Sequence, residues 1–100
     1  MSIKIIMTWD ISPEREQEYF EFVVREFIPG VQRLGLELKD AWATVYGTRT
    51  QILVGAQLPT VSKAHQIMRS SEWVSLHNQL QDYVINYSEK IVEAHGGFQF

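Results

Sequence analysis

Glu37-Leu38-Lys39-Asp40-Ala41-Trp42-Ala43-Thr44-Val45-Tyr46, Gly47-Thr48-Arg49-Thr50 and Gln51-Ile52-Leu53-Val54-Gly55-Ala56-Gln57-Leu58 follow one another without a break. They read as two strands joined by a polar, glycine-led loop. A four-residue loop pairs Tyr46 with Gln51 and Val45 with Ile52. That register gathers Ala41, Ala43, Val45, Ile52, Val54, Ala56 and Leu58 on one face, all apolar. The other face receives Asp40, Trp42, Thr44, Tyr46, Gln51, Leu53, Gly55 and Gln57. A slip of one residue would scramble the sorting, because side chains alternate between faces with period two.

Upstream, Ile3 to Trp9 is mostly apolar and rich in β-branched isoleucine, which predicts a first strand. Asp10-Ile11-Ser12-Pro13 ends it, and Ser12-Pro13-Glu14 opens a helix. Glu14, Glu16 and Glu18 favour the positive end of that helix dipole. Phe20, Val23, Val24, Phe27, Val31 and Leu34 form its apolar stripe. Pro29-Gly30 predicts a kink or short restart without a change of phase, and Gly35 a C-terminal cap.

Downstream, Thr60 caps a short helix with Val61, Ala64 and Met68 inward, and Ser70-Ser71 restarts a second. Trp73, Leu76, Leu80, Tyr83, Val84 and Tyr87 recur at helical spacing, so that helix is expected to run past Tyr83. Glu89–Ala94 is left as the fourth strand, His95-Gly96-Gly97 as a turn and Phe98-Gln99-Phe100 as a docking tail.

The order strand, helix, strand, strand, helix, strand is the split βαβ plan, an α+β fold with one four-stranded antiparallel sheet and both helices on one face. A sheet covered on one side should show water a polar second face. Here Ile6 opposes Ile5 and Met7, and the hairpin's mixed face carries Trp42, Tyr46 and Leu53. Both faces ask for burial, which predicts a homodimer made by packing two sheets face to face. The residues leave open which face meets the helices.

At 100 residues, one domain spanning positions 1–100 is expected. Cysteine is absent, which removes disulfides, thiolate catalysis, zinc–thiolate sites and iron–sulfur clusters. Nine basic against twelve acidic residues give a net charge of -3, with the basic ones scattered, so neither nucleic acid nor an anionic membrane is an expected partner. Met1-Ser2-Ile3-Lys4 carries no cationic leader before an apolar stretch, and no run approaches membrane-spanning length, so a cytoplasmic location is expected.

Layout, the Ser12-Pro13-Glu14 start, Pro29-Gly30 and the Ser70-x-Glu72-Trp73 segment together resemble the dimeric α/β-barrel superfamily, a ferredoxin-like fold. That group includes antibiotic-biosynthesis-type monooxygenases, haem-degrading enzymes, muconolactone isomerase-like and stress-responsive proteins. The resemblance covers nearly the whole chain and implies a dimeric α+β barrel, with any site between sheet and helices. It implies no single reaction, since the fold hosts unrelated chemistries.

Three histidines, His65, His77 and His95, stand 12 and 18 positions apart, without the i, i+4 spacing of a helical metal site, so no metal is expected. His77 lies four residues after Trp73 on the apolar side of its helix; His65 sits beside Ala64 and Met68. Either is a candidate general base, because imidazole titrates near neutrality. Against this stand, for His77, a ring packed at a helix–sheet edge on a backbone carbonyl and, for His65, a half-exposed helix position. By resemblance to the haem-degrading members, Ser70 to His77 matches the segment whose histidine ligates iron. Their tryptophan about three turns earlier and their first-strand asparagine are replaced here by approximately Ile67 and by Met7 or Thr8.

Trp42 and Tyr46 share one strand face, roughly 13 Å apart. With Trp73 and Tyr19 they are the candidate substrate-binding residues for a flat, apolar aromatic molecule. The resemblance to cofactor-independent monooxygenases implies oxidation of such a molecule by oxygen without metal or organic cofactor. Two other readings stay open: a non-catalytic dimer whose aromatics fill core and interface, and a haem binder using His77.

Overall fold

The computed structural model describes residues 2–94. Strand β1 (Ile3–Ile11) leads through a 3₁₀ turn (Pro13–Arg15) into helix α1 (Glu16–Phe22), a π-helical turn (Val23–Phe27) and helix α2 (Ile28–Arg33). The hairpin β2 (Glu37–Tyr46) and β3 (Arg49–Leu58) follows, then α3 (Val61–Met68), α4 (Ser71–Leu80) and β4 (Val84–Glu93). The four strands lie in the order β2-β3-β1-β4, with all neighbours antiparallel. This is the ferredoxin-like α+β plan expected from the element order. The His95-Gly96-Gly97 turn and the Phe98–Phe100 tail lie outside the described residues.

The helices cover the face that carries Ile3, Ile5, Met7, Trp9 and Ile11 of β1 with Ala56 and Leu58 of β3, all buried. That decides which sheet face the helices meet. Tyr19, Phe27, Val31, Ala64, Ile67, Trp73, Leu76 and Leu80 close the core from above. Among the described residues no helix is long and apolar enough to cross a membrane.

Four local expectations are corrected. The hairpin turn has two residues, Gly47-Thr48, and Tyr46 pairs with Arg49 rather than Gln51. Gly47 has a positive φ of 61°, which allows the tight turn that suits strand twist. The shift is two residues, so parity and the sorting of the faces are unchanged. Second, the helix does change phase. Ile28 N–H bonds to Val23 O, a five-residue step forced where Pro29 offers no N–H. Tyr19, Phe22 and Phe27 are therefore buried, while Phe20 and Val24 point out at 49% and 66% exposure. Third, α4 stops at Leu80, and Val84 and Tyr87 belong to β4. Val61 faces outward as well, its inward place taken by Ile67.

The caps hold at Thr60, Ser70 and Gly35, whereas the Ser12 hydroxyl makes no cap bond and Arg15 N–H goes to the Ser12 carbonyl oxygen instead. Lys63 N–H donates to Thr60 Oγ1 at 3.1 Å and Trp73 N–H to Ser70 Oγ at 3.2 Å. Gly35, at φ 93°, ends α2 with its own N–H on Gln32 O and Leu36 N–H on Val31 O, a Schellman closure.

On the helix-free face the register of β2 slips between Leu38 and Asp40. The slip turns Leu38 to the core and Asp40 to the open face, where its carboxylate accepts from Lys4 Nζ at 2.8 Å. Gly55 makes room, since a Cβ there would lie 2.7 Å from Asp40 Oδ2. Gly55→Ala is expected to push that carboxylate off its lysine and lower stability by roughly 1–3 kcal/mol, read from urea unfolding.

Candidate functional site

Helix α4 places Trp73 and His77 four residues apart, on the side that meets the sheet. Opposite them, β1 brings up Trp9, β4 brings Tyr87, and the π turn brings Phe27. The rings close a circuit. Trp9 meets Phe27 at 5.9 Å, Phe27 meets Trp73 at 6.5 Å, and Trp73 meets His77 at 6.0 Å between centroids. His77 stands edge-on to Tyr87 at 4.7 Å, and Tyr87 stacks on Trp9 at 6.0 Å with planes 10° apart. Such offset and edge-to-face contacts add to the hydrophobic gain of burying the rings.

Two polar atoms sit in this oily layer. Trp9 Nε1–H donates to the Tyr19 hydroxyl at 2.9 Å, which leaves the phenol its own O–H to place. His77 Nδ1 is buried with no hydrogen-bond partner among the described residues. Its other nitrogen lies 3.4 Å from the Gln81 amide nitrogen. If that amide donates to Nε2, the neutral ring carries its proton on Nδ1. Nδ1 is then a donor facing the aromatic layer and lacking an oxygen. Leaving it unmet costs about 1–3 kcal/mol.

Burial raises the Tyr19 phenol to about 12, with the Trp9 hydrogen bond pulling weakly the other way. Burial also raises Tyr87, and the Glu89 carboxylate that accepts from its hydroxyl at 2.8 Å raises it further. Below pH 10, the ordinary phenol value, Tyr19 is protonated folded or unfolded, and its contribution to stability is complete. As pH climbs from 10 to about 12 the unfolded chain sheds the proton that the folded chain keeps, so stability drains away across that window. Tyr19→Phe is expected to flatten this part of a melting-temperature profile and to remove a late phenolate step at 295 nm.

The candidate residues do not converge on one place. Tyr19, Trp73 and His77 are in or beside the circuit. Trp42 and Tyr46 lie on the opposite face of the sheet, half-exposed at 50% and 46%. Tyr46 donates there to Asp10 Oδ1 at 3.2 Å. His65 is exposed on α3 and lines a shallow hollow of ≈ 690 Å³ with Val61, Ser62, Gln66 and Arg69. Among the described residues no group of three His, Cys, Asp or Glu could hold a metal ion. For haem, His77 fits poorly: Nδ1 is shut in among rings and Nε2 faces Gln81, so neither nitrogen stands open to a macrocycle.

Trp9, Phe27 and Tyr87 complete the circuit unannounced by local pattern. Asp10 was also undervalued. It is only 3% exposed and its Oδ2 accepts from Asn86 Nδ2 at 2.9 Å and Arg49 Nη1 at 3.4 Å. Asn86 reaches it from a left-handed backbone, φ 58°, beside a register slip between β1 and β4. A carboxylate written into an apolar strand was the available signal.

No family model and no curated protein matches the chain. Solved structures do. A NIPSNAP family protein from Agrobacterium tumefaciens superposes with a TM-score of 0.70 at 17% identity, covering 95% of this chain and 87% of that one. A NIPSNAP-like domain protein from Burkholderia xenovorans gives 0.72 at 16%, covering 98% and 89%. An antibiotic biosynthesis monooxygenase-like protein from Nitrosomonas europaea gives 0.70 at 10%, covering 93% and 89%. At such identities the likeness is one of fold: the chain is built on the ferredoxin-like α+β plan that these proteins share.

Proposed function

We propose that the chain works as a homodimer paired through its helix-free sheet faces, each protomer holding one small, flat, apolar aromatic molecule in the circuit around His77. The observation that carries the ligand is the buried Nδ1 of His77, which has no hydrogen-bond partner among the described residues. A carbonyl or phenolate oxygen would satisfy it, while Trp9, Trp73 and Tyr87 offer ring faces. The way in is past Tyr87, half-buried on the edge strand and tied at its hydroxyl to the exposed Glu89. Because the five rings already touch, a ligand must part them.

A hydroxyarene anchored as its anion can pass electrons directly to oxygen. One oxygen atom becomes a new ring carbonyl, and the other leaves as water with the single hydrogen of that ring carbon and the proton given up by the hydroxyl when the anion formed. In this reading His77 steadies the anion, with no metal or organic cofactor. Titration with polycyclic hydroxyarenes should quench the fluorescence of the adjoining tryptophans, and oxygen uptake should follow. His77→Phe should abolish both while the fold persists. If no member of the panel quenches the wild-type protein, the ligand reading fails, and the touching rings favour the other reading, a non-catalytic dimer with a filled core.

For the dimer, the support is the open face itself. Ile6 and Leu53 lie at its centre, and its buried charges are already closed in Lys4–Asp40 and in the bonds to Asp10. Covering it would strand neither group.

A further inference from the structure

We infer that Tyr87 and Glu89 form an outlet for one-electron oxidation. An electron vacancy created on a buried tryptophan of the circuit ends on the Tyr87 phenol, whose proton passes to the Glu89 carboxylate. The inference concerns the ligand-free circuit and needs neither the ligand nor the dimer. Trp9, 1% exposed, stacks on Tyr87 with planes 10° apart and centroids 6.0 Å from each other. Trp73, also buried, reaches Tyr87 through one intervening ring, His77, in steps of 6.0 and 4.7 Å. Tyr87 is half-buried, and its hydroxyl donates to Oε1 of the exposed Glu89 at 2.8 Å. The path therefore runs from the core to a carboxylate in water.

Electron tunnelling decays exponentially with the gap between partners, so neighbouring rings exchange electrons far faster than rings separated by aliphatic layers. Proton chemistry then selects the end point. The radical cation of a phenol is a very strong acid, and a phenol gives up an electron readily only where its proton can leave as well. An ionised carboxylate bonded to the hydroxyl is such an acceptor. Tyr19 is also in contact with Trp9 but lacks this path. Its oxygen accepts the Trp9 indole N–H at 2.9 Å, and its own O–H meets no acceptor among the described residues. A hydroxyl oxygen is too weak a base to take the indole proton, so an oxidised Trp9 remains a radical cation and keeps its full pull on the next electron. Tyr46 does donate to a carboxylate, that of Asp10, but on the opposite face of the sheet.

The steps balance. An oxidant of the peroxyl-radical class takes one electron from a buried indole and becomes a peroxide anion. Tyr87 returns one electron to that indole, which is neutral again, and its hydroxyl proton moves to Glu89 Oε1. A neutral phenoxyl then stands beside a neutral carboxylic acid. A small reductant of the thiol or enediol class gives the phenoxyl a hydrogen atom, and Glu89 releases its proton to water, where it meets the peroxide. One electron and one proton have passed from reductant to oxidant. Trp9 and Trp73 are left unaltered, spared the irreversible oxygenation to which an oxidised indole is open.

The test is laser flash photolysis of the full chain carrying Trp42→Phe, which removes the indole signal of the opposite sheet face. The flash ionises Trp9 and Trp73, and the ejected electrons are scavenged. The tryptophan-radical absorption should decay as the phenoxyl absorption rises, at one rate that does not depend on protein concentration. Adding Tyr87→Phe should abolish the phenoxyl rise and lengthen the life of the tryptophan radical. Glu89→Gln keeps an oxygen acceptor at the same reach but removes the base. Its melting temperature should hold while the transfer slows by about 10-fold or more. A phenoxyl rise that survives Tyr87→Phe, or no rise with every tyrosine in place, overturns the outlet. A rate indifferent to Glu89→Gln overturns the proton's path. Each readout is taken without ligand, so it fails or holds separately from the hydroxyarene titration.

Discussion

Trp9→Ala is expected to cost about 3–5 kcal/mol of folding stability, the range for deleting a buried aromatic without collapse of the site. Trp9 is 1% exposed and belongs to the largest fully buried side chains of the chain. It touches the circuit on two sides, through Phe27 and Tyr87, and fixes the Tyr19 hydroxyl with its indole N–H. Since domains of this size are stable by about 5–15 kcal/mol, the variant should sit near the edge of folding. Urea unfolding followed by far-ultraviolet circular dichroism measures the loss. Trp9→Phe keeps a ring in the gap and deprives Tyr19 of its donor, so a smaller deficit is expected. A loss below about 1 kcal/mol for the alanine variant would mean that the layer collapses onto the gap.

Breaking the Lys4–Asp40 pair from one side should be almost as costly. Both side chains are largely removed from water, at 6% and 14% exposure, and the Nζ–Oδ2 distance is 2.8 Å. Asp40→Ala leaves the ammonium buried without its counter-charge, a change that typically costs 3–5 kcal/mol. The double variant Lys4→Met, Asp40→Leu removes both charges at similar volume. It should recover most of that loss, because an ion pair out of water gains little over well-packed apolar groups. A double-mutant cycle in urea decides the matter: coupling near zero would show that solvent still screens the pair.

The parts of the fold legible from the chain are those governed by local chemistry. Alternation in the hairpin sorted its faces correctly even though the turn is two residues shorter than expected, because a shift of two preserves parity. Thr60, Ser70 and Gly35 cap as their side chains and backbone freedom dictate. Failures came where two patterns fit the same residues. Tyr83, Val84 and Tyr87 continue a helical stripe, yet a turn after Leu80 and the left-handed Asn86 deliver Val84 and Tyr87 to a strand. Phe20 and Val24 continue the stripe of a regular helix, and a five-residue turn rotates them outward.

The candidate site was legible only in pieces. His77 and Trp73 stood out at their helical spacing, and Tyr19 stood out by type. The circuit joins them to Trp9, Phe27 and Tyr87 from three other elements, a meeting set by strand order and helix docking. Trp42 and Tyr46 are of the same residue types, but the pleat of β2 turns them to the opposite side of the sheet. Residue type alone could not separate the two groups.

The wide turn at Val23–Phe27 holds one residue more than a uniform helix of the same length would need. Excising Val24, which is 66% exposed, would bring Phe22 and Phe27 to ordinary spacing and leave the buried side chains in line. It would also close the loosened coil around Pro29, whose ring would then press on the preceding carbonyls and bend the axis. Evolutionary gain or loss of a single codon in this helix should therefore cluster at that spot, and appear or vanish together with the proline.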